Sequence, residues 1–584
     1  MQDRHFDVDH GVTSFRPIKL SDSRAEMLDK SLTLSHSRKE LQLPALSRMS
    51  SHELDDIDAI SYSSDHEQVM TPMDSISFSQ REFAFDNVLF NYRVQGSLRS
   101  GLAPIALLGS WHAGLAISAF ASGATVAFVR AAYRPLLLLT MTNDYQRQYV
   151  HGTALLDWGN IFSVVLGLLS DCVPIFGTRR KAYIALGWLL CALSFASICI
   201  INIITIRSVK QSNAVFGRLL EAFSLIGSIA LQLSWVAAMA LIVGFGQREV
   251  LNERGGLATL FIILWQAGAL TAHLAVAQFQ PSLTLFNTSA AVVITSVVVL
   301  PFIFAFVQED EQESFVTFTD HMGIASALRT GFLQLWEICH EKVTHRVLLF
   351  LLLFGVLLNA KDPSVEKALA SWSGFSRIND TENPWVLVFT SAGTFVALLY
   401  AKWRLLSTAW RQLAIIGTVI MVMCALIEAT LITTNTIRAK WYFAILTGLK
   451  AWPMAWLSFL TVLSATEIAH VGCEGITMGL VLSGQGLAAS VRNTVAHLIT
   501  NSLNTQKLIN EDSLSTRARV LFAAVAYATV NLFAVAAVPW LPRSKLEAQQ
   551  FRVFGGFSRR GATFIVLLYA VLLILAIITN LKML

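Results

Sequence analysis

The chain has 584 residues, 54% of them hydrophobic and only 14% charged, against about 25% charged in soluble domains. With a mean hydropathy of +0.55, this is more apolar sequence than a soluble core absorbs, which excludes an ordinary soluble enzyme and points to an all-α, polytopic membrane protein. The formal charge of +5 is uneven: residues 1–80 hold 14 Asp/Glu against 8 Lys/Arg, a net of −6, so residues 81–584 carry +11.

In chain order, residues 1–94 read as a disordered cytoplasmic tail, whose stretch 1–80 is acidic, Ser-rich, poor in aromatics and without periodicity. The first residues, MQDRHFDVDH, lack a basic segment followed by an apolar one, so no cleaved signal peptide is expected and the first span serves for targeting. A span needs about 20 apolar residues. Such runs predict helices at 112–133, 152–171, 182–205, 215–243, 257–279 and 287–307, a first bundle within 95–307. A polar cytoplasmic linker, 308–345, follows. The second bundle, 346–541, has spans near 347–371, 384–401, 411–434, 440–463, 474–500 and 518–541, the first of them interrupted by Lys361, Asp362 and Pro363. Residues 542–584 read as a basic linker and an added C-terminal transmembrane helix at 563–581. The six cysteines form no CxxC pair or zinc spacing and read as small packing residues; neither a metal nor a cofactor is expected.

Basic residues set the orientation. With the N-terminus in the cytoplasm, the loops at 171–182, 243–257 and 401–411 and the segment after 541 concentrate Lys and Arg on one side. Six spans, a linker and six more spans form the layout of major facilitator transporters, whose solute site lies between the halves at mid-depth.

The most informative stretch is GLLSDCVPIFGTRRKAY, residues 167–183. Gly167 removes a side chain where another helix can approach closely. Asp171 puts a carboxylate at the membrane surface, within reach of a cation or a helix N-terminus. Pro174 and Gly177 make a tight turn, and Arg179, Arg180 and Lys181 hold it in the cytoplasm. This gating motif resembles the major facilitator loop of glycine, three residues, aspartate and a basic cluster. The fuller form, SDCVPIFGTRRKAY, resembles the signature of the folate–biopterin transporter family. Gln247-Arg248-Glu249 with Arg254-Gly255, and Glu467 to Gly475 with Gly479-Leu480, resemble that family's loops after the fourth helix and before the eleventh. The resemblance covers roughly residues 95–580 and implies a solute transporter. Family members often carry Trp and Lys on the second helix and two aspartates on the fourth; here those positions read Asn160 and Ser163, and Trp235 and Met239.

Ionisable groups inside spans are costly and are site candidates by default. Arg130, Arg492 and Lys450 are the candidates for binding solute, because an anionic solute needs a cation and Arg suits a carboxylate. Asp157 and Glu428 are the candidates for proton coupling, since a buried carboxylate can cycle between its forms. Trp265 and Trp452 are candidates for stacking on a flat ring. No Walker A motif, catalytic triad, HExxH, GxGxxG or nucleic-acid signature is present, so neither an enzyme nor a nucleic-acid partner is expected. The leading expectation is a secondary active transporter of folate, pterin or a similar small organic solute, with the lipid bilayer and that solute as partners and the plasma membrane preferred over an organelle. The alternative is a non-transporting receptor or scaffold on a transporter fold.

Overall fold

The computed structural model describes residues 96–99, 102–144, 158–207, 214–309, 323–375, 383–500 and 512–583. The chain divides into two units, 1–68 and 69–584; the first unit, and with it most of the expected acidic tail, lies outside the described residues. The described part of the second unit is helical, with no strand among the described residues beyond two isolated bridges.

In the first half, α1 (Ala113–Phe128) passes through a π turn, Val129–Tyr133, into α2 (Arg134–Asp144). Then come α3 (Ser163–Cys172), α4 (Lys181–Arg207), α5 (Ala214–Gly246), α6 (Gly256–Phe279) and α7 (Leu285–Phe306). An amphipathic helix, α8 (Ile324–His340), occupies the end of the linker. The second half holds α9 (Lys342–Leu357), α10 (Pro363–Trp372), α11 (Pro384–Tyr400), α12 (Trp410–Thr433), α13 (Lys440–Lys450), α14 (Trp452–Ile468), α15 (Glu474–Thr500) and α16 (Leu514–Phe533). Two further helices follow, α17 (Lys545–Phe554) and α18 (Arg559–Met583). Nine helical stretches among the described residues are long and apolar enough to cross a membrane. The protein is a multi-pass integral membrane protein.

Two spans of the second half are broken, each for a local reason. Between α9 and α10, Asn359 adopts a φ of 61° and Pro363 starts a new helix, which Asp362 caps by accepting from the Ser364 N–H at 2.7 Å. The backbone exposed by the break is satisfied from α16: Asn531 accepts from the Ala360 N–H at 2.8 Å and donates to its carbonyl at 3.1 Å. Between α13 and α14, Pro453 at the first turn of α14 cannot continue the ladder of α13. The halves meet along two seams, α3 on α15 and α6 on α11.

Candidate functional site

Between the halves lies a cavity of about 270 Å³, lined from α1, α5 and α6 on one side and α14 and α15 on the other. Its cations are Arg130, in the π turn, and Arg134, one turn further on. Such turns insert an extra residue and re-aim side chains, and they recur at functional sites. Asn160, Gln232 and Gln485 supply uncharged polar groups, and Trp235 and Trp265 stand 5.8 Å apart in the wall. The described lining contains no carboxylate.

Below this cavity, at the end of the molecule rich in basic loops, α3 and α15 close together. A Cβ on Gly167 would collide with the carbonyl oxygen of Gly475, and one on Gly479 with that of Ser163. The two backbones therefore touch because glycines leave room. Asp171, at the end of α3, is buried and caps α15: it accepts from the backbone N–H groups of Gly475 at 3.3 Å and Ile476 at 2.6 Å. These are orphan donors of a helix N-terminus, which also favours negative charge. Arg180 pairs with Asp171 and reaches Glu474 at 3.0 Å; Arg179 donates to the Gly472 carbonyl at 2.6 Å. Arg99, from the segment before α1, pairs with Glu474 and donates to Gln247 at 2.9 Å.

The turn at 174–177 positions the two arginines. Phe176 and Gly177 both have positive φ, 50° and 75°, and Ile175 and Thr178 exchange backbone hydrogen bonds. Glu309, at the start of the linker, then caps α4 by accepting from the N–H groups of Arg179 at 2.9 Å, Arg180 at 2.5 Å and Lys181.

A second buried polar network adjoins this closure. Arg254 pairs with Glu467 at 3.1 Å, and Gln549 of α17 donates to the same carboxylate at 2.7 Å. Arg552 of α17 contacts His470 at 3.0 Å, and the far nitrogen of His470 meets Glu341, before α9, at 2.5 Å. Burial alone would raise the Glu341 carboxyl, but His470, Arg552 and the Thr344 hydroxyl together hold it below its ordinary value. Lys545 donates to the carbonyls of Leu251 at 3.1 Å and Arg254 at 2.6 Å, and burial lowers its amine to about 8.

The site residues read from the sequence separate into several places. Arg130 lines the central cavity. Lys450 and Glu428 pair with each other in a different cavity, inside the second half. Arg492 donates to the carbonyls of Gly355 at 3.0 Å and Leu358 at 3.3 Å, where α9 ends, and is not in the central lining. Asp157 lies outside the described residues. Gly167, Asp171, Arg179 and Arg180 come together at the closure, with Pro174 and Gly177 in the turn that serves it. Trp265 is in the central wall, whereas Trp452 faces a lateral groove. Arg99, Glu309, Glu341, Gln549 and Arg552 carry no motif, and a lone polar or charged side chain beside a span does not announce that it is buried.

Two helical halves, joined along α3–α15 and α6–α11 around a polar cavity closed at one end, define a membrane transporter of the major facilitator type. Solved structures agree at the level of the fold. The proton:xylose symporter XylE bound to 6-bromo-6-deoxy-D-glucose is similar with a TM-score of 0.53 at 14% identity, over 73% of this chain and 94% of that one. A D-xylose–proton symporter gives 0.51 at 14% identity, over 75% and 99%. A model of the BT1 family matches residues 128–546, well over half of the chain, and the chain belongs to this family, the folate–biopterin transporters. No curated protein matches it.

Proposed function

We propose that the chain is a secondary active transporter of folate, a pterin or a similar small organic anion, working by alternating access in the plasma membrane. The observation that carries this reading is the placement of Arg130 and Arg134 in the lining of the central cavity, together with the rings of Trp235 and Trp265. An anionic conjugate finds its counter-charge there, and Trp235 and Trp265 offer faces to a flat ring. With the basic end in the cytoplasm, the closed α3–α15 contact corresponds to an outward-facing or occluded state, and opening that contact delivers solute inward. Asp157 and Glu428 are the carboxylates to test for proton coupling.

The test is uptake into proteoliposomes across folates, pterins, nucleosides and amino-acid derivatives, with and without an imposed pH gradient. Saturable uptake of a folate or pterin, reduced at least tenfold by Arg130→Ala, is expected. A folded, inserted protein that binds a pterin and moves none would favour a second reading, a receptor on a transporter fold. One observation favours that reading: where the family often carries two aspartates on the fourth helix, Trp235 and Met239 line this cavity.

A further inference from the structure

The second half encloses its own cavity, about 370 Å³, formed by α10, α11, α12, α13 and α16, and none of its lining residues belongs to the central cavity. Its size falls within the range of small-molecule sites, about 300–1,000 Å³. The two cavities differ in charge. Three lysines (Lys361, Lys367, Lys450) and three carboxylates (Asp362, Glu366, Glu428) stand in the described lining of the second one, whose formal balance is zero. At its mouth Lys361 and Glu366 pair at 2.6 Å, with side chains 50% and 35% exposed. At its depth Glu428 is 1% exposed; Lys450 occupies one of its carboxylate oxygens, and the other, Oε1, is buried with no hydrogen-bond partner. The Thr447 hydroxyl, also buried, lies beside this carboxylate. Apolar side chains, among them Leu369, Met421 and Phe443, complete the wall.

A buried carboxylate oxygen with an open acceptor site costs free energy that an incoming N–H donor recovers. A bare cation or anion would unbalance the described lining, whose charges already cancel. A molecule carrying both charges would not, and its apolar part would meet the apolar wall. We propose that this cavity is a second solute site, separate from the central one, which takes a free α-amino acid with an apolar side chain. Its ammonium donates to Glu428 Oε1 and to Thr447 Oγ1, and its carboxylate faces Lys450 and the Lys361 mouth. The proposal concerns binding and stands whether or not the central cavity carries a pterin.

The experiment measures equilibrium binding of radiolabelled L-leucine and L-phenylalanine to the full-length protein in nanodiscs. Saturable binding is expected, competed by the free amino acid and not by N-acetyl-leucine, which has no ammonium, nor by glycine betaine, which has both charges but no N–H. The double variant Glu428→Gln/Lys450→Gln, which strands no charge, should lose at least tenfold in affinity. Thr447→Val should lose severalfold, and carries the test if the double variant melts early. Absence of saturable binding to either amino acid overturns the proposal. So does binding that survives both variants, or that is lost instead with Arg130→Ala, which would place the amino acid in the central cavity.

Discussion

Asp171 gives up its hydration on burial between the halves, a cost that a carboxylate bears only if charge and hydrogen bonds replace the water. Arg180 and two N–H groups of α15 do so. Because the N–H donors belong to the other half, this replacement exists only while α3 and α15 are in contact. Asp171→Asn keeps the shape and one acceptor but removes the charge. Hydrogen bonds to charged groups are worth about 1.5–3 kcal/mol, so the closed state should lose roughly 10- to 150-fold in population. Gly167→Ala should do more, because the added Cβ meets the carbonyl oxygen of Gly475, which is backbone and cannot swing away. Gly323→Ala is the control, since nothing lies near its added carbon. Alkylation of Ser163→Cys from the basic side, in a chain with its native cysteines replaced, reads the population. Unchanged alkylation in Asp171→Asn would reduce the residue to a structural cap. The residue types at this contact were legible because glycine, carboxylate and arginine are chemically distinct and closely spaced. Gln232 and Gln485, in the central wall, were not: an uncharged amide in an apolar run gives no sign of whether it faces a cavity or a neighbouring helix.

At the scale of elements, apolar runs gave the spans, and a charged break announced itself where Lys361, Asp362 and Pro363 fall together. The break at Pro453 was not legible, since the proline sits among Trp452, Met454 and other apolar residues that continue the run. The helix α17 was hidden for the opposite reason: it is polar, and only its contacts make it part of the closure. Lys545, at its start, is held by two carbonyls of the loop before α6. Its amine, lowered to about 8 by burial, binds its proton less tightly in the folded chain than in the unfolded one. Between about pH 8 and its ordinary value near 10.4 the unfolded chain therefore binds more protons, and stability from this group rises with pH across that window. The penalty is fully present below pH 8. The melting temperature of the wild type, measured relative to Lys545→Gln, should rise between pH 7.5 and 10. A difference that stays flat with pH would mean that Lys545 is hydrated and its amine unshifted.

Beyond its two halves, the described chain carries one more long apolar helix, α18. Six spans in each half, as the apolar runs predict, return the chain to the side on which it began, and the fate of α18 then decides where the C-terminus lies. The approach to α18 is fixed at the basic end: Ser558 donates to the His340 carbonyl at 2.7 Å, and the Gly556 carbonyl accepts from Lys342 at 3.2 Å. From there α18 runs beside α15, which starts at the same end with Glu474. Ten residues into α18, the Tyr569 hydroxyl donates to the Leu480 carbonyl at 2.9 Å, over the space left by Gly484. The two helices therefore run in parallel, away from the basic end. At about 1.5 Å per residue the 25 residues of α18 extend about 37 Å, more than the hydrocarbon core of about 30 Å. Arg559 and Arg560 sit at its start, as positive charge at the inner end of a span requires. A helix lying on the surface would instead need one polar face along its length, and residues 563–578 show none. The expected outcome is thus an N-terminal tag and a C-terminal tag on opposite sides of the membrane. In sealed cells, external protease should remove only the C-terminal one. Protection of both tags until the membrane is permeabilised would show that α18 turns back or lies on the inner surface, and that the contact with Leu480 is made from outside the bilayer core.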